Sequence, residues 1–139
     1  MRMRHLIRDS VWRLSALLLM ACGLPFRPGT PLTGNWGGEH VSAMLTDSNG
    51  TLTFDCAVAA IDGGIIPESS GHFEASGTYT REHGGPVREG EVLPKLPARF
   101  SGSVGKNQFT LTVTLIGTGE SMGSFTLHAG SDGRVLRCL

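Results

Sequence analysis

Residues 108–115 read Gln108-Phe109-Thr110-Leu111-Thr112-Val113-Thr114-Leu115, four apolar side chains alternating without a break with four polar ones. Successive side chains of a β-strand point to opposite faces, so a period of two describes a strand with one dry face and one wet face. A helix would place its apolar residues three and four apart. The same period recurs on both sides of this stretch. Upstream, across the turn Gly105-Lys106-Asn107, Ala98, Phe100, Gly102 and Val104 share a face. Downstream, past a loop that begins at Gly117-Thr118-Gly119-Glu120, Phe125 and Leu127 mark the next strand.

Earlier in the chain Phe73, Ala75, Gly77 and Tyr79 alternate with His72, Glu74, Ser76, Thr78 and Thr80. Val41, Ala43 and Leu45 alternate with His40, Ser42, Met44 and Thr46, in a first strand that Gly34-Asn35-Trp36 leads into and near whose start His40 lies. The turn Asp47-Ser48-Asn49-Gly50 follows, its Asn-Gly pair suited to the positive φ angles of a tight hairpin. Leu52, Phe54 and Cys56 then alternate with Thr51, Thr53 and Asp55, and this strand is expected to run on through Ala57–Ile61 until Asp62-Gly63-Gly64 breaks it. Ile65-Ile66 is expected to add a short strand, and Ser131-Asp132-Gly133 to turn into a last one, Arg134 to Cys138.

No stretch after residue 23 has helical periodicity. Seven or eight short strands joined by Gly, Asn and Asp turns predict an all-β fold, either an antiparallel barrel or a β-sandwich. The barrel is preferred because the connections read as successive hairpins and closure removes exposed edges. Gly77 and Gly102 inside strands suit the bends or close approaches of a small barrel.

Ahead of this domain, Arg2, Arg4, Arg8 and Arg13 precede an apolar run, Leu14 to Ala21, that closes on Leu19-Met20-Ala21-Cys22. The run is far shorter than the roughly 20 residues of a membrane-spanning helix. The pattern resembles a bacterial lipoprotein signal. That resemblance implies cleavage before Cys22, lipid on Cys22, and export to the cell envelope; Gly23 in place of an aspartate implies the outer membrane. An ordinary signal peptide cut near the same place, or a mitochondrial presequence, are the competing readings. Three segments follow: 1–21 as signal peptide, 22–33 as a flexible tether with Pro25, Pro28 and Pro31, and 34–139 as one β domain.

The whole chain is formally neutral, but residues 22–139 hold eight Lys and Arg against eleven Asp and Glu, a net charge of about −3. A mildly acidic domain without a basic cluster argues against nucleic acid as a partner. With Cys22 assigned to lipid, Cys56 and Cys138 remain, and in an oxidising compartment they pair most simply as one disulfide. In the chain-entropy model such a long closed loop is worth about 4.5 kcal/mol. Two free thiols are the alternative.

Gly34-Asn35-Trp36 resembles the Gly-x-Trp opening of lipocalins and avidins. That likeness implies a tryptophan plugging one end of a barrel, with a late basic residue, Arg134 or Arg137, packed across it. Trp36-Gly37-Gly38-x-His40, Phe54-Asp55-Cys56-Ala57, Pro97-Ala98-Arg99-Phe100-Ser101-Gly102 and Cys138-Leu139 resemble blocks of exported bacterial lipoproteins that carry no assigned activity. Membrane-anchored lysozyme inhibitors share the design of lipid, barrel and disulfide, although their inhibitory loop motif is not recognisable here.

The candidate binding residues are Trp36, His40, Arg137, Val92, Leu93 and Leu96. Imidazole in general has an unperturbed pKa near neutrality, so the residue type at His40 suits a ligand contact or a general base, or else a structural hydrogen bond. His72 and Glu74 share a strand face, short of the three or four ligands of a zinc site. Gly117 to Gly123 lacks the spacing of a serine nucleophile elbow. Glu89 and Glu91 read as solvated charge. The long irregular stretch from Arg81 to Pro97, with Val92, Leu93 and Leu96 among prolines, is the best recognition candidate, with a floppy or merely packed connector as the alternative. Together these features favour a non-enzymatic, lipid-anchored envelope module that binds a small apolar ligand or an envelope protein, with no cofactor and no metal. A hydrolytic or metal-binding protein using His40, or a purely structural component, are the alternatives.

Overall fold

A computed structural model describes residues 27–139. The leader and Cys22 lie outside the described residues. Eight strands follow one another: β1 Gly34–Gly38, β2 Val41–Leu45, β3 Asn49–Phe54, β4 Ala57–Asp62, β5 His72–Arg81, β6 Leu96–Val104, β7 Gln108–Leu115 and β8 Ser121–Ala129. Each pairs antiparallel with the next, and β8 returns to pair with β1, closing a barrel. The expected barrel is the observed one, and the sandwich is excluded.

Up-and-down order gives the barrel two rims. The upper rim carries the turns 39–40 and 55–56, the long loop 82–95 and the turn 116–120. The lower rim carries 46–48, 63–71 and 105–107.

The alternation of the sequence becomes the filling of the interior. Val41, Leu52, Phe100, Phe109, Leu111, Val113 and Leu127 are fully buried, each side chain contributing roughly 1.5–3 kcal/mol over exposure. Among the described residues no polar or charged residue is buried. Aromatic clusters close both ends. Trp36 stands edge-on to Phe109 at 5.1 Å, and Phe73 to the same ring at 5.9 Å. Toward the upper rim Phe54 meets Tyr79 at 5.8 Å and Phe125 at 4.8 Å. A Cβ on Gly77 would collide with the Ala60 carbonyl, and one on Gly102 with the Thr110 carbonyl, which is the close strand approach expected of these two glycines.

Four expectations along the chain need correction. Gly34-Asn35-Trp36 does not merely lead into the first strand; it is part of β1, paired through Trp36↔Ala43. The run from Thr51 to Ile61 is two strands, β3 and β4, joined by a two-residue turn at Asp55-Cys56. In both places the buried parity changes: Trp36 is followed by Val41, Ala43 and Leu45, and Phe54 by Ala57, Ala59 and Ile61. A straight strand cannot bury both parities, so the chain must turn between them. Ile65-Ile66 forms no strand; Ile65 is buried and its carbonyl accepts the Leu32 N–H at 2.9 Å. That bond, with Gly29 N–H donating to the Pro67 carbonyl at 2.9 Å, docks part of the expected tether onto the lower rim. Finally, Arg134 to Cys138 is no ladder strand. It makes one parallel bridge, Glu39↔Arg134, and otherwise runs as an irregular tail.

Candidate functional site

The tail builds the upper rim. After β8 the chain reverses and passes the outer face of β1, where Gly37 and Gly133 lie backbone against backbone. A Cβ on Gly37 would strike the Gly133 backbone, and Gly133 itself has φ +76°. Arg134 then donates its N–H to the Gly38 carbonyl at 2.9 Å and accepts the His40 N–H at 2.7 Å. The Leu136 N–H donates to Asp55 Oδ1 at 2.7 Å, while Asp55 Oδ2 meets His40 Nδ1 at 2.5 Å. Two residues on, Cys138 forms the expected disulfide with Cys56, Cα atoms 5.0 Å apart.

Among the described residues the only non-glycine positive φ angles are at His40 (67°) and Cys56 (56°). Both sit in tight rim turns that the tail ties down. Such conformations persist where surrounding contacts over-determine them.

Asp55 is held below the ordinary carboxylate range. The Leu136 amide is the main cause, and the hydrogen bond and charge of His40 add to it. His40 is therefore placed in a turn, not on the opposite face of a strand, and its Nδ1 is oriented by a carboxylate. A carboxylate on one imidazole nitrogen is half of a nucleophile-activating arrangement. Among the described residues no hydroxyl or thiol hydrogen-bonds to the other ring nitrogen.

The long loop has its own brace. His83 Nε2 meets Glu91 Oε1 at 2.6 Å, its Nδ1 faces the Gly84 carbonyl at 3.1 Å, and Glu91 Oε2 accepts the Arg88 N–H at 3.0 Å. With acceptors at both ring nitrogens, the Gly84 carbonyl foremost, His83 is pushed above its ordinary value. The Arg88 amide and then His83 pull Glu91 below its own. Glu91, read as solvated charge, is exposed and also ties the loop together, one carboxylate oxygen on His83 and the other on the Arg88 N–H. Glu82 ties the loop back through its N–H to the Cys56 carbonyl at 2.9 Å.

Between loop and tail lies an open groove of about 430 Å³, walled by Phe54, Val58, Val87, Leu93, Leu136 and Arg137 among others. The structure thus brings together two of the expected binding residues, Leu93 and Arg137. Leu96 opens β6 and packs against the core, while Val92 on the loop is 88% exposed. Trp36 is elsewhere, buried among the core aromatics, its indole N–H donating to the Thr33 carbonyl at 3.0 Å. Of the two late arginines expected across it, Arg134 pairs with Glu39 at 3.6 Å on the surface and Arg137 lines the groove. Sequence reasoning missed Val87, Leu136 and the His83–Glu91 brace.

A second open cleft, of about 740 Å³, lies between β1, β8 and the tail and includes His40, Phe125, His128 and Arg134. Glu74 on the outer wall is paired with Arg99 at 2.8 Å. Among the described residues no three His, Cys, Asp or Glu side chains are grouped to hold a metal ion. Compared with protein-family models, curated proteins and solved structures, the chain matches none of them.

Proposed function

We infer that this protein is a lipid-anchored component of the bacterial cell envelope, attached to the outer membrane through Cys22, and that its barrel is a non-enzymatic binding or inhibitor-like module for another envelope protein. One observation carries the binding reading: the barrel's inward side chains are buried against one another, while a groove with Phe54, Val58, Val87, Leu93 and Leu136 in its wall stands open on the rim, under a loop that exposes Val92. An eight-stranded interior is of the width that side chains such as Phe73, Phe100, Phe109 and Leu111 can fill. A groove whose walls are fixed by a disulfide and a braced loop loses little freedom on binding, which favours affinity. Replacing Cys22 by Ser is expected to move the protein from the membrane to the soluble periplasmic fraction. Deleting residues 84–92 is expected to abolish partner binding with the barrel still folded; a partner held equally well by the deletion variant contradicts the reading.

The His40–Asp55 pair supports a second reading, a hydrolytic envelope protein in which His40 is the base. Substituting His40 by Gln would then abolish turnover of ester or amide substrates without altering partner binding.

A further inference from the structure

The barrel is closed unevenly. Strand β1 has five residues and β8 nine, and their register consists of Trp36↔Ala129 and Gly37↔His128 alone. Above Gly37↔His128, β8 continues through Thr126, Phe125 and Ser124 with no strand on its β1 side among the described residues.

The direction of the free backbone groups follows from alternation. Gly130 N–H bonds to Asn35 on the β1 side, and Ala129 N–H to Asn107 on the β7 side. Alternation along the strand then turns the N–H and C=O of His128, Thr126 and Ser124 toward β1. The irregularity opposite Val113/Thr114 lies beyond Ser124 and leaves this parity intact. Consistently, a Cβ on Gly38 would collide with the Thr126 carbonyl. Past that point the strands splay, and the 740 Å³ cleft occupies the gap.

From this unpaired edge we propose that the β1–β8 seam is a strand-addition site, which takes a single extended polypeptide segment alongside Ser124 and the N–H of Thr126, above the point where the Thr126 carbonyl lies against Gly38. Main-chain hydrogen bonds to a sheet edge give affinity, and pockets for alternate side chains give selectivity. The occupant is a lone strand because the cleft is walled on both sides, by β8 on one and by the end of β1 and the tail on the other. The edge of a second folded sheet would bring its own neighbouring strand into collision with that second wall. The segment's inward side chain is apolar, because Phe125 lies half-buried on the cleft wall against Phe54. Its outward side chain is basic. Glu39 is matched by Arg134 and Asp55 by His40, whereas Asp132 in the cleft wall forms no ion pair among the described residues.

The test starts from a random octapeptide library displayed on phage and selected on the full chain in detergent. Enriched peptides are expected to alternate apolar and polar residues and to carry Lys or Arg. Ser124→Pro removes an N–H that faces the seam and not β7. It is expected to weaken the selected peptides at least tenfold with the melting temperature unchanged, while Ser124→Ala binds as the parent does. N-methylation of a peptide on its seam-facing edge is expected to do the same from the other side, so a destabilised Ser124→Pro leaves the question decidable. Deleting residues 84–92 is expected to leave these peptides bound, which separates this site from the loop–tail groove. Failure to enrich any peptide, or binding indifferent to N-methylation, overturns the proposal. Concentration-dependent dimerisation abolished by Ser124→Pro overturns it in favour of a second copy of the chain.

Discussion

Asp55 accepts the backbone N–H of Leu136, 81 residues away in sequence, at 2.7 Å with one carboxylate oxygen and holds His40 with the other. A single side chain in the β3–β4 turn thereby fixes both the β1–β2 turn and the C-terminal tail. Its neighbour Cys56 adds the covalent tie to Cys138. The upper rim is therefore one assembled surface, not a set of independent loops.

Replacing Cys138 by Ser releases the end of the tail. Loss of a disulfide closing so long a loop is expected to cost about 2–5 kcal/mol, lowering the melting temperature by roughly 10–20 °C. The barrel itself should remain, because its core does not include the tail. Near-ultraviolet circular dichroism from Trp36 should keep its native form below the new transition.

The Asp55 contact carries a pH dependence whose sign is set by its lowered pKa. Its stabilisation is fully present above the ordinary carboxylate value of 3.8 and is lost as pH falls through the depressed folded value. Amide exchange at Leu136, corrected for intrinsic rates, should be slow from pH 5 upward and accelerate below about 3.8. Asp55→Asn should show the acid-state exchange at every pH.

The loop brace titrates at the other end. His83 is raised, so its contribution is complete below the ordinary value of 6.5 and fades as pH rises through the folded value; Glu91 is lowered, so its contribution holds above 4.5. Limited proteolysis within residues 84–92 should be slowest between these limits and faster in mildly alkaline buffer. His83→Gln should remove the alkaline dependence.

Gly133→Ala places a methyl group against the Val41 carbonyl at a φ of +76°, a strain of about 1–3 kcal/mol. Gly117→Ala meets nothing within 4 Å and should lie within about 0.5 kcal/mol of the parent. Urea titration of the two variants separates tail docking from glycine content in general.

Much of the barrel was legible because the hydrophobic period is a local signal. Phe109, Leu111, Val113 and Leu115 declare their face without reference to any partner. The turns at Glu39-His40 and Asp55-Cys56 were hidden because neither contains the Gly, Pro or Asn-Gly that marks a hairpin. Only the parity change from Phe54 to Ala57 betrays the second. The disulfide followed from cysteine arithmetic. The tail reads as a strand because Val135 and its neighbours have strand composition, while their bonds go to a side chain and to turns. His83 and Glu91, eight residues apart in an aperiodic loop, meet through a loop conformation that periodicity does not encode. The groove escaped for a similar reason: Val87, Leu93 and Leu136 converge from distant segments.

The central claim is that the upper rim meets another envelope protein. A photo-crosslinking amino acid at Val92, with Lys106 on the lower rim as control, tests it in living cells. The claim predicts one discrete protein adduct from Val92, absent from Lys106, and lost when Leu93 is also changed to Asp. No adduct from Val92, or the same adducts from both positions, would contradict it.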